Sequence, residues 1–181
     1  MVKVTDGGHW MAPEKISADE MLRGMREHWP EAVTPVSQMI LRMFRLTTLI
    51  RMNASDTMST HGLSFTEFQV LLSLRRIPPP HELPPTALYD AVAITSGGLT
   101  KVLKALNERG FIVQREDKAD RRSKPVRLTK PGARIIEETM QNVMDSDGSL
   151  LAKGLKPKEM ETMTGLLQKV LAEIDPESGT A

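Results

Sequence analysis

The clearest structural signals of this chain lie in the stretch ITSGGLTKVLKALNERGFIVQREDKADRRSKPVRLTKPG, residues 94–132. Its first half places leucine and valine at the spacing of a helix face, and Gly110 supplies a left-handed stop. FIVQRE and PVRLTK then alternate between apolar and polar residues, as strands do. The basic segment between them is too long for a tight turn, so we predict a β-hairpin whose loop projects.

The residues before this stretch predict another short helix. Pro85 fits the first turn of that helix, and Thr95 or Ser96 can cap the helix that follows. A helix, a turn, a second helix and a basic hairpin together make the plan of a winged helix-turn-helix. In that plan the second helix enters the major groove of DNA, and the hairpin loop reaches phosphates or the minor groove.

The flanking segments predict dimerisation helices around this module. Residues 1–17 and 177–181 show no periodicity, and we expect flexible tails there. Apolar residues recur at helical spacing in residues 18–62 and 131–176, on stripes too wide for the rest of the chain to cover. We therefore expect these helices to pack against a second copy of the chain, with residues 63–130 forming a DNA-binding lobe. The predicted fold class is mainly α with a small β-hairpin wing.

Charge is segregated along the chain, although the net charge is only +1. Residues 95–134 contain eleven basic and four acidic side chains, a net charge of +7, so the remaining residues sum to −6. Such segregation indicates a surface that binds a polyanion. The chain has no cysteine, which excludes disulfides and zinc–thiolate sites, and no apolar stretch long enough to span a membrane. We expect a cytoplasmic protein without a membrane segment.

The same stretch resembles the MarR (multiple antibiotic resistance regulator) family of bacterial transcription factors. The shared pattern is an arginine that ends a strand, then Asp-x-Arg in the wing, then Leu-Thr-x-x-Gly. Its positions here are Arg115, Asp120, Arg122, Leu128, Thr129 and Gly132. The resemblance implies an obligate homodimer on a pseudo-palindromic double-stranded DNA operator, usually a repressor, released by a small ligand or an oxidant. In the family that ligand tends to lie between the dimer helices and the DNA-binding lobe.

The second helix of the module is the predicted recognition helix. Its candidate DNA-binding residues are Ser96, Gly97, Thr100, Lys101 and Lys104. Small residues at a helix N-terminus let the backbone approach DNA closely, and the amide groups there can bind a phosphate. We expect Ser96, Thr100 and Lys101 to read the major groove. Thr86, at the start of the first short helix, is assigned to the same surface.

The wing supplies the remaining candidates. They are Arg115, Asp120, Arg121, Arg122 and Lys124. Arg121, Arg122 and Lys124 are expected to hold the wing on DNA, because a weakly hydrated guanidinium group suits the narrow minor groove. Asp120 lies two residues before Arg122, so an extended backbone places both side chains on one side. The carboxylate can then orient the guanidinium group.

Trp29 has two interpretations. In the related subgroup that responds to phenols and urate, a tryptophan lies on an additional N-terminal helix near the ligand, and REHWPEAV resembles that segment. The alternative, which we favour, is that Trp29 anchors its helix to the dimer by burial. The ligand implied by the resemblance is a small aromatic or phenolic compound.

Other functions find little support in the sequence. The four histidines have no metal-ligand spacing, so we predict neither a metal nor a cofactor. A phosphate loop, HExxH, GxSxG and a cysteine nucleophile are all absent, so we predict that the protein is not an enzyme. The alternative function is a winged-helix module that uses its basic face for an RNA or a protein partner, without operator specificity.

Overall fold

The computed structural model describes residues 16–92, 96–114 and 124–175. Within these ranges the chain forms seven α-helices, one 3₁₀ turn and three short strands. In chain order they are α1 (Ala18–His28), the 3₁₀ turn (Pro30–Ala32), α2 (Pro35–Thr60), α3 (Phe65–Arg75), β1 (Glu82–Leu83), α4 (Pro85–Val92), α5 (Ser96–Glu108), β2 (Ile112–Gln114), β3 (Val126–Leu128), α6 (Lys130–Leu151) and α7 (Pro157–Ile174). The predicted fold class is confirmed. None of these helices is long and apolar enough to cross a membrane.

The chain divides into two compact units between Asn53 and Ala54, within α2. In the first unit, Leu22 of α1 is fully buried. Arg42 of α2 donates a hydrogen bond to the carboxylate of Asp19 on α1, at 3.0 Å. The finer division into N-terminal helices, a DNA-binding lobe and C-terminal helices remains a prediction.

Helix α3 is the centre of the hydrophobic core of the second unit. Its Phe68, Val70, Leu71 and Leu74 are all buried, so more than one side of the helix is covered. The surrounding elements contribute Leu88, Val92, Leu99, Leu103, Leu106, Ile112, Val126, Leu128, Ile136 and Val143. Because α4, α5, β3 and α6 all pack on α3, the helix-turn-helix, the wing and α6 share one core.

Local sequence signals mark the ends of several helices, and the stop at Gly110 is the predicted one. At α3, the Ser64 hydroxyl accepts from the amide of Glu67, and the Glu67 carboxylate accepts from the amide of Ser64 at 2.8 Å. This reciprocal pair of hydrogen bonds is a capping box. Gly62 and Gly110 have φ angles of +65° and +70°, and each closes its helix in a Schellman motif. The chain therefore turns sharply after α2 and α5 at residues without a Cβ.

The sheet has one strand more than the sequence predicts. Strands β2 and β3 form the predicted antiparallel hairpin, with Ile112 opposite Leu128. Strand β1, in the proline-rich connector before α4, pairs with the other edge of β3, so the order is β1–β3–β2. Glu82 of β1 lies opposite Arg127 and accepts a hydrogen bond from its Nε at 2.6 Å. Two residues are too few to show an alternating pattern, so the sequence did not reveal this strand.

Candidate nucleic-acid interface

Helix α5 has two contrasting faces. Leu103 and Leu106 are buried in the core around α3. Thr100, Lys101 and Lys104 are exposed, as the sequence predicts. The buried leucines hold α5 in place, and its polar face is exposed to solvent. A recognition helix has this arrangement.

The Lys104 side chain makes a weak local ion pair. Its Nζ lies 3.8 Å from Oε1 of Glu108, one turn along α5, and both side chains are largely exposed. Exposed pairs of this kind contribute less than about 1 kcal/mol. The ammonium group of Lys104 can therefore leave Glu108 for a phosphate at little cost.

A shallow depression of about 680 Å³ lies against α4 and α5. It is lined by Pro85, Thr86, Tyr89, Leu99, Thr100, Leu103, Lys104, Asn107 and Gln114. The structure thus brings the predicted Thr86, Thr100 and Lys104 to one surface. Sequence reasoning missed Tyr89 and Asn107. Each lies three residues after a predicted residue on the same helix, and that spacing is the signal that identifies them.

The other predicted DNA-binding residues are placed less fully. Ser96 and Gly97 lie in the first turn of α5. Lys124 is exposed, two residues before β3. Four lie outside the described residues: Arg115, Asp120, Arg121 and Arg122. The contact of every one of these residues with DNA remains a prediction.

Two arginines of residues 95–134, Arg109 and Arg127, form ion pairs within the fold. Nη1 of Arg109 lies 3.1 Å from the Glu67 carboxylate, and its guanidinium group lies over the Phe111 ring, 4.6 Å from the centroid. Arg127 pairs with Glu82. Both acids, Glu67 and Glu82, lie outside residues 95–134. The net charge of +7 counted for residues 95–134 is therefore larger than the positive charge available to bind a polyanion. The exposed lysines of α5 are part of what remains.

The root of the wing packs tightly on the start of α6. A Cβ added to Gly132 would overlap the carbonyl oxygen of Phe111 and lie 2.9 Å from Cδ1 of Leu128. Thr129 caps α6 by accepting a hydrogen bond from the amide of Gly132 at 3.1 Å. The Leu-Thr-x-x-Gly pattern therefore has a physical cause: an apolar wing residue, a helix cap and a position without a side chain.

A smaller cleft of about 250 Å³ lies between α3 and α6. Its lining residues are Leu72, Arg75, Ile136, Glu137, Met140, Gln141 and Met144. Nε of Arg75 donates to the Glu137 carboxylate at 2.6 Å, and both side chains are about half exposed. The cleft therefore has an apolar wall and one cationic side chain, Arg75, which is paired with the partly exposed carboxylate of Glu137.

Comparison with known proteins agrees with this geometry. A sequence model of the MarR family matches residues 61–123. The chain is similar to the HTH-type transcriptional regulator PecS of Dickeya dadantii (strain 3937), at 24% identity over 155 residues that cover 86% of this chain and 93% of PecS. Wild-type apo MarR from E. coli matches with a TM-score of 0.67 and 27% identity, over 77% of this chain and 98% of that one. A cysteine-to-serine mutant of E. coli MarR, complexed with operator DNA, matches with a TM-score of 0.57 and 26% identity, over 81% and 97%.

The helix-turn-helix and its three-stranded wing define a winged-helix DNA-binding protein. Within that class, the chain is similar to the MarR family, whose sequence model matches residues 61–123, and the resemblance seen in residues 94–132 is confirmed. These similarities support a DNA-binding regulator of transcription.

Proposed function

We propose that this protein is a homodimer that represses transcription by binding a pseudo-palindromic operator. The observation that carries the proposal is the exposed face of α5, where Thr100, Lys101 and Lys104 lie on a helix fixed by buried leucines. The similarity to an E. coli MarR mutant that was solved in complex with operator DNA supports operator binding by this chain. Two such helices about 34 Å apart would read half-sites about one helical turn apart. Occupation of that site would block a promoter.

Lys101→Ala is expected to weaken binding to a selected duplex about tenfold at physiological salt. A dimer loses one contact from each protomer, and each lost phosphate contact flattens the log–log salt dependence by about 0.9. Fluorescence anisotropy across a range of salt concentrations measures both effects. Lys169→Ala is the matched control, since it removes an exposed lysine from α7 and should leave binding unchanged. If Lys101→Ala binds the duplex as tightly as Lys169→Ala does, the assignment of α5 as the recognition helix would be contradicted.

Two apolar surfaces support the proposed dimer. In the first unit, α2 exposes Val36, Met39, Ile40, Met43 and Phe44. In the second unit, α7 exposes Leu166, Leu167, Val170, Leu171 and Ile174, and none of its residues is buried. Contiguous apolar surface of this kind marks an interaction site, and a second copy of the chain offers the same surfaces in return.

We also propose that a small aromatic acid releases the protein from DNA by binding in the cleft between α3 and α6. The apolar wall of the cleft suits a ring, and Arg75 would hold a carboxylate in place of Glu137. A ligand that separates α3 from α6 would also move α5, which packs on α3. Trp29, after α1, is 64% exposed, and its contact with a ligand or a partner remains a prediction.

Arg75→Gln is expected to make DNA binding about tenfold less sensitive to benzoate, because a charge-assisted hydrogen bond to the carboxylate is lost. The measurement is the benzoate concentration that releases half of the bound duplex, with phenol as the probe that has no carboxylate. The neighbouring, exposed Arg76→Gln is the control and should respond as the wild type does. If benzoate releases DNA equally from wild type and Arg75→Gln, the ligand does not bind at Arg75.

A further inference from the structure

The Thr129 side chain joins three segments of backbone. Its hydroxyl lies 2.7 Å from the carbonyl oxygen of Gly110 and 3.0 Å from that of Phe111, and it accepts from the amide of Gly132 at 3.1 Å. The backbone amide of Thr129 also donates to the Phe111 carbonyl, at 3.1 Å. One residue thus connects the end of α5, the root of the wing and the first turn of α6. We call this connection the α5–α6 junction.

The hydroxyl of Thr129 acts both as a hydrogen-bond donor and as an acceptor at the junction. A hydroxyl has one hydrogen to donate and lone pairs to accept, so it can serve the carbonyl groups and the amide together. Valine has nearly the same shape and can do neither, whereas serine can do both. Gly110 and Phe111 form the Schellman motif that closes α5. A displacement of Thr129 therefore moves the end of α5.

A second contact holds the same segment from the side of α3. The guanidinium group of Arg109 pairs with Glu67 and lies over the ring of Phe111. The Glu67 carboxylate is fixed in turn by the amide and hydroxyl groups of Ser64, each at 2.8 Å. The end of α5 is thus held between the start of α3 and the start of α6. The junction at Thr129 adds a direct hydrogen-bonded connection from the end of α5 and the wing to α6.

We propose that Thr129 is a positioning residue for DNA binding, whose hydroxyl holds α5 and the wing in the orientation to α6 that operator binding requires. The proposal rests on the proposed function and deepens it. Helix α6 begins the C-terminal segment through which we propose that two protomers join. The distance between the two recognition helices, which must match the half-site spacing, therefore depends on this connection.

The variant that tests the proposal is Thr129→Val, which removes the hydroxyl and keeps the volume. It is expected to bind a selected duplex about tenfold more weakly than wild type, because phosphate contacts of α5 and the wing are lost. Circular dichroism at the assay temperature establishes that it is folded. Thr129→Ser is expected to bind within about threefold of wild type. Thr60→Val is the matched control, since the Thr60 hydroxyl bonds to the Thr57 carbonyl within α2.

A double-mutant cycle with Lys124 separates position from stability. In the wild-type background, Lys124→Ala is expected to weaken binding and to flatten its salt dependence. If Thr129→Val moves the wing away from DNA, Lys124→Ala has little further effect in that background. If Thr129 only stabilises the fold, the two losses in affinity multiply.

Four results would overturn the proposal. They are binding by Thr129→Val within about threefold of wild type, a serine variant as weak as the valine variant, multiplicative losses in the Lys124 cycle, and an unfolded Thr129→Val. The last would make the hydroxyl a requirement of the fold instead of a positioning group. If the wild-type chain selects no duplex, the proposed function falls and the inference falls with it. If the wild-type chain selects a duplex and Thr129→Val binds that duplex equally well, only the proposed role of Thr129 is contradicted.

Discussion

Adding one methyl group at Gly132 is expected to lower the free energy of unfolding by about 3 kcal/mol and to abolish operator binding. The alanine Cβ would overlap the Phe111 carbonyl oxygen, which is also the acceptor for the Thr129 amide. Backbone atoms held in this way cannot yield as a flexible side chain does. Relief requires the root of the wing to move away from α6, which also displaces the end of α5. Urea denaturation and DNA affinity measure the two losses.

Gly148→Ala is the matched control for Gly132→Ala. Both glycines lie in α6, but a Cβ at Gly148 would have nothing within 4 Å. Alanine is favoured over glycine in a helix, so this control is expected to raise the free energy of unfolding by about 0.5 kcal/mol. If the two variants are equally stable and bind DNA equally well, the wing does not pack on α6 in the described way.

Val170→Asp is expected to convert the proposed dimer to a monomer at concentrations where wild type is dimeric. Val170 is 55% exposed in a single chain and lies within the apolar surface of α7. In a symmetric dimer the substitution introduces two carboxylates into an apolar interface, and each desolvation costs several kcal/mol. The dissociation constant should therefore rise by at least about a hundredfold. Sedimentation velocity gives the oligomeric state directly.

Gln168→Asp is the control for the dimer prediction. Gln168 is exposed and lies two residues before Val170, which places it on the far side of α7. It introduces a carboxylate into the same helix and should leave the oligomeric state unchanged. Operator affinity is expected to fall in Val170→Asp, because a monomer contacts one half-site. A wild-type chain that is monomeric, or a Val170→Asp variant that remains dimeric, would contradict the proposed use of α7.

Most of the fold could be predicted because its signals are local. The Ser64–Glu67 capping box spans four residues, and Gly110 ends α5 through its own backbone angle. The spacing of the apolar residues identified the buried face of α5. The opposite face, which carries Lys101 and Lys104, was therefore expected to be exposed. Each of these features is determined by residues a few positions apart, so the sequence contains it.

The features that escaped prediction depend on residues far apart in the chain. Strand β1 has two residues and is defined by its pairing with β3. Arg109 lies 42 positions from its partner Glu67, and Arg127 lies 45 positions from Glu82. No local pattern shows that these arginines are engaged, so counting charges assigned them to the basic surface. The position of Tyr89 beside α5 likewise follows from the packing of α4, which the sequence does not specify.

We propose above that this chain is a dimeric regulator that recognises a particular operator. The experiment is a selection of bound duplexes from a random DNA pool by the purified protein, at two salt concentrations. We predict enrichment of an inverted repeat whose half-sites lie about 10 base pairs apart. Weak, salt-sensitive binding to every duplex, without an enriched sequence, would contradict the claim and would indicate that the basic face serves RNA or a protein partner.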